Sequence, residues 1–222
     1  MDIAEVVRQT GPFFWPILAC AVFGAAISVE RLIFVYLRAS VDATSFLAAV
    51  QRHLLDDALD RALGLCNGEP SALLPRVVKA ALVRAHRPDA EIRDAVEEAQ
   101  LEVFPLVNRR IAYLPVIANV STLLGLLGTI QGLVMAFQAV EASSVEARSA
   151  ALAGGIAVAM YTTFFGLLVS IPVLVAHALV ASRANALLDE IEHGGLKVAN
   201  LLAAVRPEPN VGAPVLPFPP RG

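Results

Sequence analysis

The stretch that decides the fold is Ser121-Thr122-Leu123-Leu124-Gly125-Leu126-Leu127-Gly128-Thr129-Ile130-Gln131-Gly132, which lies inside a run without Asp, Glu, Lys or Arg from 111 to 140. A second run of this kind covers 149–182. About 20 residues of α-helix cross the hydrocarbon core of a bilayer, so both runs are longer than a membrane span requires. We therefore predict two transmembrane helices that extend beyond the hydrocarbon on at least one side.

Small residues recur every three or four positions along both runs. Helices that are already in a membrane associate by close approach of their backbones, which small side chains permit. Each run therefore presents one small-residue face, and the two faces are expected to line a common seam or a narrow central space. Such rows also occur in many helical bundles, where they indicate packing alone. The rows include Gly125, Gly128 and Gly132 in the first run and Gly155, Ala159 and Gly166 in the second.

Four threonines and the scarcity of ionisable groups set the chemistry of these runs. Thr122, Thr129, Thr162 and Thr163 either line a wet path or donate to a carbonyl one turn earlier, and the sequence leaves both interpretations open. A proton relay through a bilayer generally needs an ionisable group at depth. His177, near the end of the second run, is interpreted as an interfacial or packing residue, so this chain has no obvious proton carrier of its own.

The composition favours an integral membrane protein. The chain is 57% hydrophobic and 17% charged, which is unusual for a water-soluble domain of this size. A net charge of −3 gives no support for nucleic-acid binding. The two cysteines and four histidines show no metal-ligand spacing, and no nucleophile motif is present. We expect no catalytic residue, no metal, no cofactor and no enzymatic activity.

A third charge-free run lies between Arg8 and Glu30. A cleaved export signal is the alternative to a retained helix, and Ile17-Leu18-Ala19-Cys20 makes a weak lipoprotein-like cleavage site. Asp2 and Glu5 argue against it, because export signals begin with a positively charged segment. We expect a retained first transmembrane helix.

Residues 38–110 interleave charged and apolar residues. Arg76, Lys79 and Arg84 recur near the helical period opposite an apolar face, which predicts amphipathic helices outside the membrane. Turns are predicted at 67–70 and 87–89. After Val205 the chain has six prolines, which lack amide donors, so a disordered or extended tail is expected over 206–222.

The basic residues predict the orientation. Fifteen of the 17 Lys and Arg residues lie within 31–110 or after 182, and such residues favour the cytoplasmic side. The predicted segments are a periplasmic N-terminus with the first transmembrane helix (1–37), a cytoplasmic helical domain (38–110), the second transmembrane helix (111–140), a periplasmic connection (141–148), the third transmembrane helix (149–182), a cytoplasmic helix (183–205) and the tail (206–222).

Two motifs resemble a known family. Arg109-Arg110-Ile111, followed by Ile117-Ala118 and by Leu123 through Gly132, resembles the second transmembrane helix of the ExbB/TolQ/MotA proton-channel family. Gly155-Ile156-Ala157, Ala159, Thr163, Gly166-Leu167 and Ile171-Pro172 resemble its third helix. Both motifs together, at this separation, are more specific than either alone.

The resemblance implies a pore-forming subunit of a stator driven by the proton-motive force in the bacterial inner membrane. It implies a homopentamer embedded in lipid, around a single-helix partner of the ExbD/TolR/MotB type that brings a membrane aspartate. Thr129 and Thr163 match pore-facing threonines, and Thr162 and Thr122 are further candidates for the proton path. The residues expected to pack helices or face the ring interior are Gly125, Gly128, Gly132, Gly155, Ala159, Gly166 and Pro172.

One position departs from the family pattern. ExbB- and TolQ-like members usually carry a glutamate where this chain has Val158. The departure favours MotA-like or gliding-motor-like relatives. It implies that the partner alone binds and releases the proton. The alternative function is a non-conducting membrane scaffold or assembly subunit. We also expect that leucine at Gly128 or Gly166 stops transduction while the ring still assembles.

Overall fold

A computed structural model of the chain describes residues 11–142 and 144–205, and no strand occurs within those ranges. The N-terminal residues, residue 143 and the tail predicted to be disordered lie outside the described residues. In chain order the elements are a 3₁₀ turn (Gly11–Phe13), α1 (Phe14–Ile33) with a π-helical extension (Phe34–Arg38), α2 (Ala43–Leu55), α3 (Leu59–Gly68), α4 (Leu73–Val83), α5 (Asp89–Asn108), α6 (Tyr113–Ala142) and α7 (Arg148–Val205).

Local sequence explains where several of these helices begin. The side chain of Asp42 accepts hydrogen bonds at 3.1 and 3.3 Å from two amides in the first turn of α2, which would otherwise lack partners. Pro16, Pro75 and Pro115 each occupy the third position of a helix, where a missing amide costs no intrahelical hydrogen bond. The turn predicted at 67–70 starts later than expected, because α3 continues to Gly68.

Among the described residues, three helical segments are long and apolar enough to cross a membrane, and they contain α1, α6 and α7. At 1.5 Å per residue, α6 is about 45 Å long and α7 about 87 Å, against about 30 Å of hydrocarbon. Large apolar side chains point outwards from them, including Phe23, Leu123 and Met160, which are 64%, 62% and 69% exposed. Such apolar surfaces are compatible with contact to the lipid of a bilayer. The predicted fold class, an all-α membrane protein with long second and third membrane helices, is confirmed.

The first of two compact units comprises residues 11–40 and 104–189. It contains α1, the end of α5, α6 and most of α7. Leu114 and Ala118 of α6 form a buried cluster with Val173 of α7, and Ile27 of α1 packs against it. Gly24 lets α1 approach closely, since a Cβ there would lie 2.7 Å from Cγ2 of Val173. The three membrane helices therefore pack directly on one another.

The second unit comprises residues 41–103 and 190–205. Leu74, Leu82 and Ile92 are fully buried in it. The end of α7 belongs to this unit and packs closely, since a Cβ on Gly195 would lie 2.8 Å from Cγ1 of Val96. The segments predicted over 149–182 and 183–205 belong to one helix, because α7 runs unbroken to Val205.

Candidate functional site

The small-residue rows of α6 and α7 face each other within one chain and form a seam. At its centre the main chains touch, since a Cβ built on Gly125 would lie only 3.3 Å from the Cα of Gly166. No larger side chain fits between the helices there without moving them apart. The facing pairs along the seam are Gly125 with Gly166, Gly128 with Thr162, Gly132 with Ala159, and Ala136 with Gly155.

The seam bears on the leucine variants predicted at Gly128 and Gly166, and it does not include Pro172. A leucine at Gly128 or Gly166 would collide with the facing helix of the same chain. That the ring still assembles in such variants stays a prediction. Pro172 is exposed and lies outside the seam, in an apolar groove between α1 and α7. The other residues predicted for helix packing lie in the seam.

Two hydroxyl groups cross the seam in opposite directions. Ser121 of α6 donates to the carbonyl of Gly166 at 3.1 Å, and Thr163 of α7 donates to the carbonyl of Gly125 at 3.3 Å. The two hydrogen bonds bracket the point where the backbones touch and fix the register of the helices. Sequence patterns did not identify Ser121 as a donor, because its partner is defined only once the register is known.

The four predicted threonines occupy different environments. Thr162 is fully buried in the seam. Thr162 and Thr129 each donate to the carbonyl three residues earlier, at 2.8 and 2.6 Å, and Thr122 donates to the carbonyl four residues earlier at 3.1 Å. Thr129 and Thr163 are half-buried at the edges of the seam, and Thr122 is exposed. Each hydroxyl hydrogen is used inside the protein, so the oxygens are left as acceptors.

The position of the family glutamate lies on another side of α7. A helix turns by about 100° per residue, so Val158 and Thr163 project about 140° apart. Cγ1 of Val158 lies 4.0 Å from the place of a Cβ on Gly11, at the turn before α1. Within residues 11–142 and 144–205, no group of three or more His, Cys, Asp or Glu residues could hold a metal ion.

Comparison with known proteins identifies the family. The model of the MotA/TolQ/ExbB proton channel family matches residues 69–193, more than half of the chain. The chain is also 30% identical over 194 residues to biopolymer transport protein exbB1 of Vibrio cholerae, covering 86% of this chain and 85% of that protein. The chain belongs to the MotA/TolQ/ExbB proton channel family.

Other members of the MotA/TolQ/ExbB family match as well. A putative ExbB homolog of Methanothermobacter thermautotrophicus is 27% identical over 190 residues, covering 86% of this chain and 67% of the homolog. The Tol-Pal system protein TolQ of Haemophilus influenzae is 33% identical over 109 residues, covering 47% of each chain. These names do not support the preference for MotA-like relatives that Val158 suggested.

Membership of the MotA/TolQ/ExbB family fixes the general function. The chain is a membrane protein of a proton-channel family that energises transport, which is not an enzyme family. Members of the ExbB/TolQ group typically work with ExbD- or TolR-type partners.

Proposed function

We propose that this chain is the pore-forming subunit of a complex driven by the proton-motive force. Several copies, five by analogy with the family, surround a single-span ExbD/TolR-like partner, and their α6–α7 pairs form the wall of the pore. The partner supplies a membrane aspartate that binds the proton. The complex energises transport, and biopolymer transport, the activity named for the Vibrio cholerae relative, is the proposed load.

The observation that carries the proposal is the chemistry of the α6–α7 pair. Its membrane part contains no Asp, Glu, Lys or Arg over 111–140 or 149–182, and a valine replaces the family glutamate at 158. Half-buried hydroxyl oxygens are nevertheless present at the seam edges, on Thr129 and Thr163. Such a wall can accept hydrogen bonds, and His177, near the end of the second charge-free run, is interpreted as an interfacial or packing residue. This supports the proposal that the titratable acid comes from another polypeptide.

The same proposal includes the location. Most basic residues lie within 31–110 or after 182, which favours a cytoplasmic position for both segments. We therefore place the chain in the bacterial inner membrane with a periplasmic N-terminus and a cytoplasmic C-terminus. Cysteine-accessibility labelling of intact cells measures this orientation directly.

Proton flux into liposomes tests the function. The chain is purified with its single-span partner, the copies are counted by native mass spectrometry, and flux is measured under an imposed potential. Partner Asp→Asn is expected to stop the flux, Thr129→Val to reduce it, and Thr129→Ser to retain it. Gln131→Met is the matched control, because Gln131 is exposed and projects about 160° away from Thr129. Equal flux through all variants would contradict the proposal.

A non-conducting scaffold is the second candidate, and Val158 is the observation that favours it. Val158→Glu restores the family carboxylate and separates the two functions. A conducting wild type supports the pore. If the wild-type complex with its partner carries no flux and Val158→Glu carries some, the wild-type chain is a scaffold that has lost conduction.

A further inference from the structure

The turn between α5 and α6 contains a residue in an unfavourable main-chain conformation. Arg110 has a φ of 63°, in the left-handed region that residues with a Cβ rarely occupy. The main-chain hydrogen bonds of the turn are local ones, from Ile111 to Asn108 at 3.3 Å and from Tyr113 to Arg110 at 3.2 Å. A conformation of this kind persists where the surrounding structure holds it.

Arg31 of α1 reaches the last turn of α5. It is 4% exposed, and its Nη1 donates to the carbonyl of Leu106 at 3.2 Å. Carbonyls in the last turn of a helix have no amide partner within the helix, so Arg31 caps α5. The ring of Phe34 lies 4.6 Å from its guanidinium carbon, while its Nε is buried without a partner. The side chain is held here despite the desolvation cost of that nitrogen.

Glu30 connects Arg31 to the strained residue. One carboxylate oxygen accepts from Arg31 Nη2 at 3.1 Å, and the other accepts from Arg110 Nη1 at 2.6 Å. Hydrogen bonds between two charged groups are shorter and stronger than neutral ones. The Glu30 carboxylate therefore ties the end of α1 to the residue with positive φ, and it also holds the side chain of Arg31, which itself bonds the last turn of α5.

We propose that Glu30, Arg31 and Arg110 form a latch that holds this turn and thereby sets the position of α6 against α1. Glu30 is a positioning residue, since it acts through α6 rather than by contact with the proton path. Leu114 and Ala118 in the first turns of α6 pack on α7, so a change in the turn reaches the start of the seam. The effect on proton flux rests on the proposed function, and the effect on the turn does not.

Amide hydrogen exchange of the purified complex tests the latch at the turn itself. Glu30→Gln keeps the size of the side chain and removes its charge. Exchange of the amides at 111–114 is expected to become about fivefold faster. Arg109→Gln is the matched control, because Arg109 is the exposed neighbour outside the latch, and exchange should keep its wild-type rate. Wild-type exchange in Glu30→Gln, or equal acceleration in Arg109→Gln, would overturn the proposal.

Two substitutions at 110 separate strain from charge. Arg110→Gln and Arg110→Gly both remove the ion pair, but glycine adopts a positive φ without steric cost. We expect faster exchange in Arg110→Gln and near wild-type exchange in Arg110→Gly. A general loss of structure would affect both variants, so equal acceleration would show that the latch does not hold a strained turn.

Flux in liposomes then tests the positioning role. With the partner present, Glu30→Gln and Arg110→Gln should lose most of the flux, whereas Arg110→Gly and Arg109→Gln should retain it. If exchange accelerates while flux through the latch variants equals that of a conducting wild type, the positioning role is overturned. If the wild type itself carries no flux, the proposed function fails, and the exchange rates alone decide whether the latch exists.

Discussion

Replacing Gly128 by alanine is expected to lower the free energy of unfolding by about 1–3 kcal/mol. The new Cβ would lie 2.5 Å from Cβ of Thr162 and 2.6 Å from its Oγ1. Carbon atoms in contact sit about 3.5–4.0 Å apart, so the helices must separate locally by about 1 Å. Thr162 cannot easily turn away, because it is fully buried and donates to the carbonyl of Ala159.

Two other glycines provide comparisons for the loss of stability expected in Gly128→Ala. A Cβ at Gly166 would lie 2.8 Å from the carbonyl oxygen of Ser121 and 3.0 Å from the Cα of Gly125. Main-chain atoms cannot rotate aside, so Gly166→Ala should cost more than Gly128→Ala and should also weaken the hydrogen bond from Ser121. Gly154 has no atom within 4 Å of its Cβ position. Gly154→Ala should therefore cost nothing and gain up to about 1 kcal/mol from its better helix propensity.

Reversible unfolding in mixed micelles, followed by helical circular dichroism during a titration with denaturing detergent, measures the three variants against the wild type. The expected order of stability is Gly154→Ala, wild type, Gly128→Ala and Gly166→Ala. If Gly128→Ala were as stable as the wild type, or if Gly154→Ala lost as much as Gly128→Ala, α6 and α7 would not be packed as a close seam within one chain.

Three further predictions concern both units. Ser121→Ala and Thr163→Val should each destabilise the seam by about 0.6 kcal/mol, and a double-mutant cycle of unfolding free energies should show coupling because both bonds fix one register. Leu82→Ala should lower the free energy of thermal or chemical unfolding by about 2–5 kcal/mol, because Leu82 is fully buried. Arg84→Gln removes an exposed ion pair and should lower it by at most about 1 kcal/mol. Burial raises the pKa of the Cys66 thiol to about 11, so this cysteine should remain a neutral thiol at pH 8 and resist maleimide labelling until the unit unfolds; rapid labelling of the native protein would refute this.

Sequence alone predicted the membrane helices, because the length and hydrophobicity of a span do not depend on tertiary structure. The small-residue period also predicted which face of α6 is buried. It could not show that the partner of Gly125 is Gly166 of the same chain, since periodicity defines a face and not its neighbour. The turn around Arg110 contains no glycine or proline, so nothing in the sequence indicated that Arg110 has a positive φ. The bond from Ser121 depends on a register that only the packed helices define.

The hydroxyl groups at the seam edges can influence whether the proposed partner's acid is protonated, although the wall carries no charge there. Thr129 donates its hydrogen to a carbonyl of its own helix at 2.6 Å, and Thr163 donates to Gly125 at 3.3 Å. Each oxygen therefore presents only lone pairs to the proposed path. A protonated carboxylic acid can donate to such an oxygen, but a carboxylate meets acceptors and apolar groups that offer it no hydrogen bond. In the proposed complex, the wall stabilises the protonated acid, and loss of the proton favours movement of the acid away from the seam towards water.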